Sequence, residues 1–199
     1  TLTGWSTTSN GSVVTFPYAH GQTANFTLYA IWSANSLTIT YNSQGGSAVI
    51  SGTVNTGASI SAAPTAPTKA GYTLSGWSTT STGSVVTFPY AHGQTANFTL
   101  YAIWSANALT IAYDSQGGSA VTSGTVNTGA SISAAPTAPT KAGYTLTGWS
   151  TTSNGSVITF PYAHGQTSNF TLYAIWSANA LTITYDSQGG SVVTSGSVN

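Results

Sequence analysis

The chain repeats itself every 72 residues. Trp5, Trp77 and Trp149 stand at that spacing in the same Gly-Trp-Ser-Thr-Thr context. Between 5–76 and 77–148 six positions differ: Asn10/Thr82, Ser36/Ala108, Thr40/Ala112, Asn42/Asp114, Ile50/Thr122 and Ser75/Thr147. Such a period is longer than the roughly 20–50 residues of solenoid and propeller repeats, and long enough for each unit to close a small core of its own. Tandem small domains are therefore expected, not one continuous superhelix. Residues 1–35 read as the C-terminal part of a module, 36–107 and 108–179 as complete modules, and 180–199 as the N-terminal part of a further one. Because both ends fall inside a module, the sequence reads as a window on something longer. Nearly identical neighbours also carry a hazard, since they can exchange strands while folding.

The stretch Asn97–Gly118, repeated almost verbatim at 25–46 and 169–190, shows how modules meet. Phe98, Leu100, Ala102 and Trp104 alternate with Thr99, Tyr101 and Ile103, the period of a half-buried strand. Ser105 to Ala108 break the pattern. Leu109, Ile111 and Tyr113 then alternate with Thr110 and Ala112 up to a Gly-Gly turn signal. The last strand of one module thus leads into the first strand of the next.

Within 108–179, a strand over Leu109–Tyr113 turns at Gln116-Gly117-Gly118. A second strand, from Ala120 to about Asn127, is expected to return antiparallel to it. Ala130–Ala135 has room for one helical turn at most, and Pro136-Thr-Ala-Pro139 forces extended backbone. Strands are expected at Tyr144–Trp149, Val157–Phe160 and Phe170–Trp176, with Tyr162–Gln166 as a turn. No stretch has helical period over 10–12 residues, so the fold class is mainly β with little or no helix.

Charge narrows the partners. Two Lys, no Arg and two Asp make 2% charged residues, against about 25% in ordinary soluble domains. Nothing basic is available to neutralise phosphates or anionic lipid, which argues against nucleic-acid partners and electrostatic membrane attachment. No run approaches the ~20 apolar residues of a membrane span, and the absence of Cys excludes disulfides and thiolate chemistry. A surface of Ser, Thr, Asn, Gln and Gly supplies almost no repulsion between copies. Such a surface suits a tethered, glycosylated or self-associating protein.

Pro-Thr-Lys-Ala-Gly-Tyr-Thr-Leu-Thr-Gly-Trp at 139–149, Phe-Thr-Leu-Tyr-Ala-Ile-Trp at 170–176 and Leu-Thr-Ile-Thr-Tyr-Asp-Ser-Gln-Gly-Gly at 181–190 closely resemble the Listeria–Bacteroides repeat, which includes the B-repeat of internalin-type surface proteins. The resemblance covers every module. It implies tandem β-grasp-like modules, with first and last strands side by side, in secreted or wall-attached bacterial proteins that act as stalks and adhesive spacers. It supplies no catalytic residue. Family members usually carry many more charges, so a charge-mediated binding role does not transfer.

Each module offers one His (His20, His92, His164), one Asn or Asp (Asn42, Asp114, Asp186) and, where visible, one Lys (Lys69, Lys141). Glycan hydrolysis needs two carboxylates facing one bond and a metal needs more ligands than one His, so neither enzyme activity nor a metal or cofactor is expected. The His, between Ala and Gly, reads as a polar loop residue. An isopeptide bond between Lys and Asn or Asp would need a neighbouring acid that the module does not have. Asp114 instead suits a turn in which its side chain bonds to backbone. Asn-Phe-Thr at 25, 97 and 169, with Asn-Gly-Ser at 10 and 154, fits the N-glycosylation pattern.

The aromatics carry most weight. Phe98, Leu100, Trp104 and the pair Tyr144/Leu146 are expected core. Tyr29, Ile31, Tyr101, Ile103, Tyr173 and Ile175 lie on the opposite strand face and are the candidates for contact between modules or chains. The reading is a structural extracellular repeat protein on a bacterial surface: a stalk, adhesin shaft or self-associating fibre. Its partners would be neighbouring repeats and other copies of itself. The alternative is an adhesive module binding surface glycans through exposed Trp or Tyr.

Overall fold

The computed structural model describes residues 1–198, and every regular element among them is a β-strand. The chain divides into two compact units, one of Thr1–Lys69 with Leu74–Trp104, the other of Ala70–Thr73 with the residues from Ser105 on. The first opens with an antiparallel ribbon of β1 (Leu2–Ser6) and β2 (Tyr29–Trp32). Then come β3 (Ser36–Asn42), β4 (Gly52–Asn55), β5 (Ser59–Ile60), β6 (Tyr72–Ser78), β7 (Tyr90–Ala91) and β8 (Phe98–Ala106). Four of them form a sheet in the order β4-β3-β8-β6, while β5 pairs with β7.

The second unit repeats the plan with β9 (Ala108–Asp114), β10 (Gly124–Asn127), β11 (Ser131–Ile132), β12 (Tyr144–Ser150), β13 (Tyr162–Ala163) and β14 (Phe170–Ala178). Its sheet order is β10-β9-β14-β12, and β11 pairs with β13. A final ribbon joins β15 (Leu181–Ile183) to β16 (Gly196–Val198).

The first and last strands of a repeat lie side by side and parallel. Residues 111–114 of β9 pair with 170–173 of β14, from Ile111↔Phe170 to Asp114↔Tyr173. The same register joins Ile39↔Phe98 to Asn42↔Tyr101. On its other side β14 pairs antiparallel with β12, from Tyr144↔Ala178 to Ser150↔Tyr173, with a bulge between Leu146 and Gly148. Gly148 has φ 154°, and a side chain there would run into Val157 Cγ1. The bulge therefore requires glycine.

Strand alternation does what it promised for the core. Leu109 and Ile111 are buried, with Tyr113 packed against the cluster, while Ala108, Thr110, Ala112 and Asp114 face outward. Leu172 and Ala174 on β14 are fully buried, and Phe170 and Trp176 pack around them. Trp149, 2% exposed, fills the centre with Tyr113 edge-on at 5.1 Å. In residues 1–35, where no strand of the β9 kind lies beside β2, the equivalent Trp5 is 41% exposed.

Several local expectations are corrected. The second strand spans Gly124–Asn127 and does not begin at Ala120, because Ser119 is tied to the Pro-rich segment: its N–H donates to the Thr140 carbonyl at 2.8 Å and its Oγ accepts from Thr140 N at 2.9 Å. The one possible helical turn is replaced by β11, which pairs with β13 and buries Ile132. Val157–Phe160 is irregular, anchored by Ile158 N to the Trp149 carbonyl at 2.8 Å, and the strand falls instead on Tyr162–Ala163, read earlier as a turn. The four-residue break at the junction shrinks to one residue, Asn107, between β8 and β9. Tyr144, expected in the core with Leu146, is 43% exposed.

Replacing Trp149 by Ala should destabilise its repeat by about 3–5 kcal/mol, from lost burial plus the cavity left behind. Denaturant melts followed by the remaining Trp fluorescence would measure this. Burial also raises the Tyr113 pKa above its ordinary 10.0. The folded state then holds the phenolic proton more tightly than the unfolded chain does, so this contribution is complete below pH 10.0 and is lost as pH rises through the folded pKa. Tyr113→Phe should make stability fall less steeply in that alkaline window.

Candidate functional site

The corner after the first strand of each repeat gathers most of the polar chemistry. Gln116 has φ 49°, the left-handed region that non-glycine residues seldom occupy. Asp114 Oδ1 holds it there by accepting the Gln116 N–H at 2.8 Å, the Asx turn expected from sequence. Thus placed, the Gln116 amide donates to the Ser153 carbonyl at 2.8 Å and the Ala174 carbonyl at 2.6 Å. It takes up a strand carbonyl at the point where β9 has left the side of β14. Gln44 makes the same two bonds, to Ser81 and Ala102, at 2.9 and 2.6 Å.

Lys141 comes in above this corner. Its Nζ donates to the Gln116 carbonyl at 2.9 Å and stands 4.5 Å from the Tyr144 ring centre and 5.7 Å from that of Trp176. The Trp176 indole N–H donates to the Ser115 carbonyl at 2.8 Å. The ammonium is thus bound to a carbonyl and to two π faces, and the Asp114 oxygen serves the turn. Beside them lies an open depression of about 430 Å3, lined by Gln116, Lys141, Tyr144, Asn154, Ile175 and Trp176 among others.

Two of the three histidines, read from sequence as polar loop residues, are buried. His92 and His164 are 4% exposed, and each stacks on a Phe of the last strand at 5.1 Å. In the second unit Nδ1 accepts the Gln166 N–H at 3.0 Å and Nε2 lies 3.3 Å from the Asn127 carbonyl. An acceptor at Nδ1 and a carbonyl at Nε2 suit the neutral ring protonated on Nε2. His164 links β10, and His92 the equivalent β4, to the last strand of its repeat as part of the packing; His20 is exposed. Nothing in the pattern of residues signals this burial, since the Asn127 carbonyl that meets the ring lies 37 residues away.

The six outward residues differ in exposure and surroundings. Tyr101, Ile103, Tyr173 and Ile175 are half-buried, as is Ile31, and Tyr29 is 44% exposed. Ile175 lines the depression beside Trp176, whereas Tyr173 lines a separate cavity of about 220 Å3 with His164 and Phe170. Of the glycosylation-pattern residues, Asn97 and Asn169 are engaged, their Oδ1 atoms accepting the Thr38 and Thr110 N–H at 2.8 Å.

Asn107, the single residue between β8 and β9, is a second polar centre. Asn107 N donates to the Gly71 carbonyl at 2.9 Å, its carbonyl accepts the Thr128 N–H at 3.0 Å, and its Oδ1 accepts the Thr73 hydroxyl at 2.7 Å. Asn35 repeats the last two bonds, to Thr56 and Thr1, at 2.8 and 2.6 Å. In the sequence Asn107 is one of four residues, Ser105 to Ala108, that merely break the strand alternation.

Gln116→Ala would remove the donor for two carbonyls, one of them on the innermost strand. The expected loss is about 1–3 kcal/mol for the polar groups left unsatisfied. Gln116→Gly, which relieves the backbone strain, should lose less than Gln116→Ala; parallel denaturant melts of the two variants test this.

Comparison with known proteins gives a family and several relatives. The family model for the Listeria-Bacteroides repeat domain matches residues 38–103 and 110–175. A protein of Evansella cellulosilytica, provisionally named a Gly-rich membrane protein, is 32% identical over 173 residues, covering 85% of this chain and 19% of the relative. Internalin H of Listeria monocytogenes is 37% identical over 119 residues, covering 58% of this chain and 21% of the internalin. The chain therefore spans about a fifth of the length of these relatives.

Proposed function

The chain belongs to the Listeria-Bacteroides repeat family, and from that premise we propose that it is the shaft of an extracellular bacterial surface protein, built to hold distance and to pack against copies of itself. The observation that carries this reading is one strand plan recurring along the chain, β4-β3-β8-β6 and then β10-β9-β14-β12. A spacer gains reach by adding such units. The repeats divide, on this reading, into 1–35, 36–107, 108–179 and 180–199, and each complete repeat is β-grasp-like. The parallel pairing of first and last strands supports that description, although no helix crosses the sheet among the described residues.

A surface location is favoured by the internalin relative and by the Evansella relative's name. No helix among the described residues is long and apolar enough to cross a membrane. Self-packing is favoured by composition, since 2% charged residues leave little to hold copies apart. Tyr29, Ile31, Tyr101, Ile103, Tyr173 and Ile175 are the residues proposed to meet a neighbouring repeat or chain.

Small-angle scattering on this chain and on longer tandem arrays tests the shaft. The maximum dimension should grow in proportion to repeat number, whereas flexibly joined units would grow about as its square root. For self-packing, Tyr173→Lys with Ile175→Lys should abolish concentration-dependent association in sedimentation; association unchanged by the pair would refute that surface.

A further inference from the structure

The chain holds only two cationic side chains, Lys69 and Lys141, and they occupy equivalent places in successive repeats. In the second unit that place is the rim of the depression of about 430 Å3, a size within the range of small-ligand sites. The space follows from the fold, because a depression of about 410 Å3 recurs at Ser9, Asn10, Gly11, Ile31 and Trp32. Its lining around Lys141 combines two flat aromatic rings, Tyr144 and Trp176, with the amides of Gln116 and Asn154 and one ammonium. Tyr144 is 43% exposed.

From this combination we infer that the depression is a subsite for an acidic sugar, one hexuronate unit of a glycan. An exposed phenol ring offers a flat apolar face to the C–H face of a pyranose. The Asn154 amide supplies both a donor and acceptors for ring hydroxyls. An ammonium carries three N–H donors and Lys141 spends one on the Gln116 carbonyl, which leaves donors for a carboxylate. A peptide side chain would be served by a deeper apolar pocket. This inference does not rest on the shaft reading, since a shaft that holds no sugar is still a shaft.

The repeats themselves supply a control. Asn42 stands where Asp114 does, and its Oδ1 accepts the Gln44 N–H at 2.9 Å just as Asp114 accepts that of Gln116 at 2.8 Å. Asp114→Asn therefore keeps the turn while removing the negative charge nearest the subsite. An acidic sugar should bind that variant more tightly, and a neutral sugar should not notice the change.

The experiment is titration calorimetry on the full chain with a galacturonic acid trisaccharide, and with cellotriose as the neutral probe. The acidic trisaccharide should bind with a dissociation constant on the order of millimolar, and cellotriose at least several-fold more weakly. Tyr144→Ala should weaken the acidic sugar by about three- to ten-fold, with Asn154→Ala weakening it as well, and near-UV circular dichroism should show both variants folded. Three results would overturn the inference: no heat with the acidic sugar, equal affinity for the two sugars, or binding unaffected by Tyr144→Ala and Asn154→Ala. Scaling of the scattering dimension with repeat number would be untouched by any of them.

Discussion

A repeat of this protein depends on keeping one indole dry. Trp149 sits where the β12 bulge, the inner face of β14 and the first strand β9 converge, so its burial needs both ends of the repeat at once. Tyr113 from the first strand meets it edge-on, and Leu172 and Ala174 from the last strand lie in the same cluster. Burying a side chain of this size yields several kcal/mol, a large share of what a unit this small can accumulate. Its indole nitrogen nevertheless has no hydrogen-bond partner, nor has that of Trp77. The repeat accepts that unfavourable term for the volume the ring fills.

With almost no ions available, the rest of the structure meets its polar needs through amides. Gln116 serves two carbonyls, Asn169 receives the Thr110 N–H, and Asn107 bonds to Gly71, Thr73 and Thr128. These bonds are neutral and short-ranged, so they depend little on salt, unlike the exposed ion pairs of a charged domain. The one ammonium of the second unit is held by a carbonyl and two rings, with no carboxylate needed.

Much of this was legible in the sequence, for a physical reason. The alternation of Leu109, Ile111 and Tyr113 with Thr110 and Ala112 determines which face is wet, and the period of the repeat determines where one core ends. The turn at Asp114 was readable because its bond is local. The short edge elements were not: Val157–Phe160 has strand-like residues but no ladder partner, and Tyr162–Ala163 is a strand only because Ser131–Ile132 lies opposite. Gln116, His164 and Asn107 escaped for a related reason. Their worth lies in main-chain carbonyls and amides far away along the chain, and main-chain atoms leave no trace in the sequence of the partner.

The parallel contact between β9 and β14 also has a mechanical side. Tension along the chain enters the repeat at Ala108, at the start of β9, and leaves at Ala178, the far end of β14. Because the two strands point the same way, such a pull drags them lengthwise past each other. Their shared hydrogen bonds are then strained together, in shear, and cannot open one after another like a zip. A repeat under tension would meet its stiffest resistance at the contact that also completes its core.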